Sequence, residues 1–185
     1  MPEIRGGDYD LIPGSDKVSK RAVIIFDSRY GNTEKIAKSL EKGISESGIE
    51  TRCFRVTEVL PKSLKQFDLI AVGGPTEGFT ASKSMKAFLR DLNGENLRGC
   101  AGFAFDTRFA APLSGHASSA IEKQLKNCGL EIITRHFSAF VEGGHKEVEG
   151  GVRLREGEQA KFEEIGKTIG KVLSAKIPKE EGVVI

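Results

Sequence analysis

A stretch that passes from a buried strand pattern to a helical pattern, residues 22–44, constrains the fold of this chain more than any other feature. It opens with an unbroken apolar run, residues 22–26, which is rich in isoleucine and valine. Such a run is typical of a strand that is buried on both faces of a parallel sheet. Further along, Ile36, Leu40 and Ile44 fall, with Ala37, on one face of an α-helix. The stretch therefore predicts a buried strand and an amphipathic helix joined by a short polar loop.

The polar loop is suited to binding a phosphate group. After Asp27 it contains Ser28, Arg29, Tyr30, Gly31, Asn32 and Thr33. The first N–H groups of a helix have no partner within the helix, and the helix dipole places partial positive charge there. Ser28 and Thr33 add hydroxyl donors, and Gly31 lets the backbone close around an anion. The alternative is an ordinary turn in which Asn32 or Thr33 only caps the helix.

The composition limits the classes of protein to consider. The chain has 185 residues, a length that suits one domain. Its net charge of +2 and pI near 8.4 are too mild to indicate nucleic-acid binding. No apolar run approaches the roughly 20 residues of a membrane helix, and the N-terminal residues lack the apolar core of a signal peptide. We therefore expect a cytoplasmic protein that binds neither nucleic acid nor membrane.

The cysteines and histidines give no sign of a metal site. Cys53, Cys100 and Cys128 are far apart in the sequence and form no Cys-x-x-Cys pair, and the chain has only three histidines. Cys53 and Cys100 fall in predicted strands, so we expect buried thiols there. Cys128 lies at a predicted helix end and could be exposed.

The rest of the chain alternates between strand and helix patterns. Strands are predicted at residues 50–56, 68–74, 100–106 and 130–141, and helices at residues 81–92, 114–127 and 156–173. Together they predict an α/β fold, a doubly wound five-stranded parallel sheet with helices on both faces. Residues 21–175 form this domain in our interpretation, residues 1–20 an N-terminal extension and residues 176–185 a C-terminal tail. Leu11 and Ile12 could fix the extension to an apolar surface, for instance in a homodimer.

The first strand, the loop of residues 28–33 and a helix starting at Glu34 resemble the FMN-phosphate loop of the flavodoxin family. The resemblance extends over about residues 21–173 and implies the strand order 2-1-3-4-5. It also implies that FMN is bound non-covalently in the crevice at the carboxyl ends of the strands, where three loops meet. The loop is not a nucleotide-triphosphate P-loop, because no Gly-Lys-Ser/Thr sequence ends it.

Residues 73–82 resemble the second FMN loop of the family, in which a Gly-Gly-Pro-Thr-like segment precedes a helix. The resemblance implies cofactor contacts from Pro75, Thr76, Glu77, Gly78 and Phe79. Glycine and proline also predict a rigid turn whose N–H groups point into the crevice. Phe79 is the candidate for packing on the flavin ring. In the alternative, Thr80 or Ser82 caps the next helix and Phe79 is its hydrophobic staple.

Residues 106–116 correspond to the third loop, which in the family holds the pyrimidine edge of the flavin ring. The implied contacts are from Asp106, Thr107, Arg108, Phe109, Ser114 and Gly115. Arg108 could lie near flavin N1 and stabilise a reduced, anionic ring, or it could pair with Asp106 or Asp91 on the surface. His116 lies at a helix N-terminus, where a single histidine is more often solvent-exposed without a functional role than a ligand for a cofactor.

Three functions remain open at this stage. The first is an electron carrier that binds FMN and exchanges electrons with a redox partner protein, a reductase or an electron acceptor. The second is an FMN-dependent NAD(P)H:quinone-type reductase. The third is an interaction module that no longer binds FMN, since the chain has no tryptophan and only two tyrosines, Tyr9 and Tyr30, to cover a flavin. No spacing supports a catalytic side chain.

Overall fold

The computed structural model describes residues 20–111, 115–143 and 151–176. The predictions for Leu11, Ile12 and Ser114, and for the C-terminal residues 177–185, lie outside these ranges, and the domain boundaries remain predictions. The helices are α1 (Asn32–Ser45), α2 (Lys83–Leu92), α3 (Ala117–Asn127) and α4 (Glu158–Ala175). The strands are β1 (Arg21–Phe26), β2 (Glu50–Arg55), β3 (Leu69–Glu77), β4 (Thr80–Ala81), β5 (Ala101–Phe109), β6 (Glu131–Ile132), β7 (Phe137–Glu142) and β8 (Arg153–Leu154).

The sheet has the predicted doubly wound order. Its strands run β2-β1-β3-β5-β7-β8. The first five of these are parallel, with Ile24 opposite Cys53 on one side and Ala71 on the other. β8 closes the far edge antiparallel to β7. The predicted order 2-1-3-4-5 is confirmed, and the carboxyl ends of β1, β3 and β5 meet where the winding reverses.

Helices cover both faces of the sheet. α1 and α4 bury Leu40 and Phe162 against one face, and α2 and α3 bury Met85 and Ile121 against the other. The central strands β1 and β3 are buried on both sides, as their continuous apolar sequences predict. Among the described residues, no helix combines the length and the apolar character needed to cross a membrane.

Several predicted elements differ from the structure at their ends. The predicted fifth strand is two strands, β6 and β7, because residues 133–136 leave the ladder beside β5. β3 and β5 are longer than predicted, and they continue into polar residues that pair with β4 and β7. α1 begins at Asn32 instead of Glu34, and α3 begins at Ala117 instead of residue 114.

Two of the three thiols differ in accessibility from the sequence prediction, because Cys53 is less buried than expected and Cys128 is more buried. Cys100 is buried as expected, and Cys53 is half-buried, with burial raising the pKa of its thiol to about 12. Cys128 is also buried, so the expectation of an exposed thiol was wrong. The turn after α3 folds inward, and the Cys128 thiol donates to the carbonyl of Leu92 at 3.4 Å.

Candidate functional site

A crevice lies at the carboxyl ends of β1, β3 and β5. All three predicted segments contribute to it, together with Val141 of β7 and Val152, the residue before β8. It is lined by Ser28, Arg29, Tyr30, Asn32, Thr33, Pro75, Thr76, Glu77, Thr107, Arg108, Phe109, Val141 and Val152. Gly31, Asp106, Gly78, Phe79 and Gly115 are the described predicted residues that do not line it. The described part of the chain holds no group of histidine, cysteine and acidic residues suited to a metal ion.

The first loop places the N-terminus of α1 beside this crevice. Gly31 occupies the N-cap of α1 with a φ of 78°, and no atom lies within 4 Å of the position that a Cβ would take. The Lys35 N–H donates to the Gly31 carbonyl at 3.1 Å, and the Glu34 N–H donates to Ser28 Oγ at 3.3 Å. The preceding N–H groups, those of Asn32 and Thr33, have no acceptor among the described residues, as is usual in the first turn of a helix.

The side chains of the first turn of α1 tie the loop to its neighbours. Thr33 Oγ1 lies 2.8 Å from Thr107 Oγ1 on β5, and both residues are buried. Asn32 Nδ2 donates to the carbonyl of Val152 at 2.8 Å. Neither side chain caps the helix, because Gly31 stands at the N-cap and, within the described residues, the side-chain acceptor at this end is Ser28 Oγ.

Val141 and Val152 are crevice residues that the sequence did not indicate. They reach the crevice because β7 and β8 form an antiparallel pair, with Val141 opposite Leu154. A glycine-rich polar stretch separates the two strands in the sequence. Two short strands on either side of such a stretch give no periodic signal, so this pairing has no sequence signature.

The second segment is a strand and hairpin, so the predicted turn with free N–H groups was wrong. Pro75 is paired with Thr107 on β5, and Thr76 and Glu77 are paired with Ala81 and Thr80 on β4. The parallel ladder continues because β5 is itself extended beside β3. Pro75, Thr76 and Glu77 nevertheless line the crevice, through one edge of this strand.

Phe79 lies at the tip of that hairpin. Gly78 and Phe79 have φ angles of 51° and 73°, the left-handed conformation that a tight two-residue hairpin turn requires. Phe79 is 69% exposed, so it is not a hydrophobic staple for α2, whose cap is Ser82 Oγ accepting from the Met85 N–H at 3.2 Å. Gly115 packs directly behind Phe79, since a Cβ on Gly115 would lie 2.3 Å from the Phe79 carbonyl oxygen.

The Asp106 carboxylate faces away from the crevice. Asp106 is fully buried, and its Oδ2 accepts from the backbone N–H of Ser118 at 2.9 Å, from Ser118 Oγ at 3.0 Å and from Thr76 Oγ1 at 3.1 Å. It therefore anchors the N-terminus of α3. The predicted contact of the Asp106 side chain with the crevice was therefore wrong. Its Oδ1 has no hydrogen-bond partner among the described residues.

Thr107, Arg108 and Phe109 line the crevice as predicted. The Arg108 guanidinium donates from Nε to Ser138 Oγ at 3.1 Å and lies 5.2 Å above the centre of the Phe140 ring. These contacts direct it toward β7, and Asp91 pairs instead with Arg90. His116 is exposed at the N-cap of α3, and its side chain makes no capping hydrogen bond.

The donors in the crevice fit a phosphate monoester. A buried serine hydroxyl and two backbone N–H groups that have no acceptor among the described residues are grouped with Gly31 at the positive end of a helix. The walls beyond them combine Pro75, Phe109, Val141 and Val152 with the hydroxyl of Thr107. Such a mixed wall is suited to a planar, partly polar ring.

Comparisons with known proteins agree with this geometry. A family model described as flavodoxin matches residues 24–165. A flavodoxin from Clostridium saccharobutylicum is 35% identical over 85 residues, 45% of this chain and 53% of that protein. A flavodoxin from Aquifex aeolicus is 36% identical over 76 residues, 40% of this chain and 41% of that protein. This chain thus spans about half the length of these two relatives.

Longer but weaker matches extend over most of the chain. A protein from Methylocella silvestris named NAD(P)H dehydrogenase (quinone) is 24% identical over 71% of this chain and 78% of its own length. The solved structure of oxidised flavodoxin 1 from Bacillus cereus matches with a TM-score of 0.71 and 20% identity, over 82% of this chain and 98% of that one. At this identity the structural match shows a common fold.

Proposed function

The chain belongs to the flavodoxin family, whose members bind FMN, and from this premise we propose that it is an electron carrier holding one FMN non-covalently in the crevice. A redox partner protein would deliver or accept the electrons. The FMN, when bound, supplies one- and two-electron redox chemistry. The protein binds and orients it, and no side chain needs to act as an acid, base or nucleophile.

The observation that carries the proposal is the first loop. Ser28, Gly31 and the N–H groups of Asn32 and Thr33 would hold the phosphate, because they are grouped at the N-terminus of a 14-residue helix. Thr33 also ties this loop to Thr107 on β5. The phosphate end of the crevice is thereby linked to the wall that would face the ring.

A matched pair of glycine variants tests this assignment. Gly31 and Gly48 have nearly equal φ angles, 78° and 76°, and both have open space around the Cβ position. Alanine at either place should therefore cost a similar amount of stability, about 1–2 kcal/mol. Only Gly31→Ala places a methyl group in the phosphate loop, so only this variant should bind FMN more weakly.

The measurement is a titration of apo-protein with FMN, followed by quenching of flavin fluorescence. Wild type and Gly48→Ala should bind at micromolar concentrations or below, and Gly31→Ala at least tenfold more weakly. Absence of binding by wild-type protein at tens of micromolar would refute the proposal and favour the interaction module. Equal FMN affinity in the two variants would show that the phosphate is held elsewhere.

A second candidate is an NAD(P)H:quinone-type reductase. It is favoured by the match to the Methylocella silvestris protein, which extends over more of this chain than the two flavodoxin matches do. The flavin would then need an open face, and the exposed Phe79 and Tyr30 would leave one. Anaerobic mixing of the FMN-loaded protein with NADH or NADPH separates the two candidates. Rapid bleaching of the flavin and turnover with a quinone would identify the reductase, and a carrier would react with neither nucleotide.

A further inference from the structure

One side chain outside the crevice braces the phosphate loop from behind. Arg55 is the last residue of the edge strand β2. Its Nη1 donates to the Ser28 carbonyl at 3.2 Å, and its Nη2 forms an ion pair and hydrogen bond with the Glu34 carboxylate. One guanidinium thus contacts both Ser28 and Glu34, which lie on either side of Gly31 in the loop that would hold the phosphate.

Arg55 is itself held in place by the sheet. It is the register partner of Phe26, the last residue of β1, and its guanidinium carbon lies 5.3 Å from the centre of the Phe26 ring. Its backbone N–H donates to Glu58 Oε2 at 2.7 Å. The stem, the backbone and the planar head are therefore all fixed, and the fork geometry of arginine suits two acceptors at once.

The electrostatic setting explains why this bridge matters for a phosphate. Glu34 lies in the first turn of α1, so its negative charge is placed beside the N–H groups that would receive another anion. Left unpaired, this carboxylate would repel a phosphate, because like charges at close range disfavour each other. Arg55 offsets the charge of this carboxylate through the ion pair and also donates to the Ser28 carbonyl.

We propose that Arg55 is a positioning residue for the phosphate loop, fixing its conformation and cancelling the charge of Glu34. This role rests on the proposed FMN binding. The arginine and glutamate side chains are 42% and 40% exposed, and exposed ion pairs contribute little to stability. Loss of Arg55 should therefore affect affinity for the phosphate group much more than it affects folding.

The experiment compares FMN with riboflavin, which lacks the phosphate. Arg55→Met should bind FMN about tenfold more weakly than wild type, a change of about 1.4 kcal/mol, while its riboflavin affinity stays unchanged. Arg55→Lys, which keeps the charge but loses the fork, should recover part of the FMN affinity. Arg52→Met is the matched control, because Arg52 lies on the same strand, pairs with the exposed Glu50 and does not line the crevice.

Two further measurements separate positioning from simple support of the fold. In a double-mutant cycle, Glu34→Gln should restore part of the FMN affinity of Arg55→Met, since the repelling charge is gone. In the apo-protein, amide hydrogen exchange at residues 28–34 should be faster in Arg55→Met than in Arg52→Met, with equal exchange in the core strands.

The outcomes distinguish this inference from the proposed function. If wild type binds no FMN, both are refuted. If wild type binds FMN and Arg55→Met binds it equally well, only the role of Arg55 is refuted. Equal weakening of FMN and riboflavin binding would also overturn it, because that result would show a general structural role instead of one directed at the phosphate.

Discussion

Substitution of Gly43 by alanine should loosen the contact between α1 and α4, the helix pair that covers one face of the sheet. A Cβ at Gly43 would lie 2.1 Å from the Glu163 carbonyl oxygen and 2.8 Å from the Lys167 nitrogen. Gly166 and Gly170 lie at the same crossing, and Cβ atoms there would lie 2.6 Å from the Leu40 carbonyl oxygen and 2.5 Å from Ser47 Oγ. The two helices therefore touch backbone to backbone.

The magnitude follows from these distances. Ordinary contact with a Cβ begins near 3.4 Å, so the helices must separate by about 1 Å to admit the methyl group. Overpacking costs about 1–3 kcal/mol, and the upper end of about 3 kcal/mol applies here because the clash is with backbone atoms that cannot rotate away. Alanine recovers roughly 1 kcal/mol of helix propensity. We expect a net loss of about 2 kcal/mol, equivalent to a fall in Tm of roughly 4–8 °C for a chain of this length.

Urea unfolding followed by circular dichroism measures this loss, with Gly94→Ala as the control. Gly94 has no atom within 4 Å of its Cβ position and no left-handed φ, so alanine there should leave stability unchanged or raise it by up to about 1 kcal/mol. A Gly43→Ala protein as stable as wild type would refute the reasoning, because it would show that α1 and α4 do not touch through their backbones.

Two other substitutions test contacts away from the phosphate loop. Burial raises the pKa of Glu122, but hydrogen bonds from Lys126 and His136 outweigh it and lower the pKa to about 2, below the ordinary value of 4.5. The ionised Glu122 carboxylate therefore stabilises the folded state fully above about pH 4.5, and this contribution is lost as the pH falls toward 2. Glu122→Gln should lower the free energy of unfolding by roughly 1.5–3 kcal/mol at pH 7, and by progressively less between about pH 4.5 and about pH 2. Urea unfolding at several pH values measures this difference. Gly115→Ala combines a φ of 69° with a Cβ 2.3 Å from the Phe79 carbonyl, and it should lower the Tm by at least about 4 °C in a thermal melt; a Tm equal to that of wild type would contradict the packing of Gly115 behind the hairpin.

The central strands and the first loop could be predicted because their signals are local. Residues 22–26 and 69–72 are short continuous apolar runs containing isoleucine and valine, which favours a strand buried on both faces. The first loop could be predicted because Gly31 comes directly before a sequence with apolar residues at helical spacing. The backbone contact at Gly43 gave no such signal, because a glycine within a helix pattern is visible only as a propensity cost.

The parts of the site that could not be predicted depend on long-range pairing. Residues 106–109 combine aspartate, threonine and arginine, which favours a loop, yet β7 pairs with them and holds them in a strand. Val141 and Val152 enter the crevice through the β7–β8 pair, and Arg55 reaches Ser28 only because β2 lies beside β1. Each of these positions is set by sheet register, which one strand's own sequence does not contain.

The loop at the N-terminus of α1 and the β3–β4 hairpin are built differently, so variants in the two places should change different properties. At the phosphate end, Thr33 is bonded to Thr107 and Asn32 to Val152, and Arg55 braces the loop. Phe79, which does not line the crevice, is exposed on the tip of the β3–β4 hairpin, with its backbone packed against Gly115. A preorganised phosphate end contributes affinity because little order is lost on binding. If FMN is bound as we propose, the exposed Phe79 would affect how far solvent and partners reach the ring, so substitutions there should change reactivity more than FMN affinity.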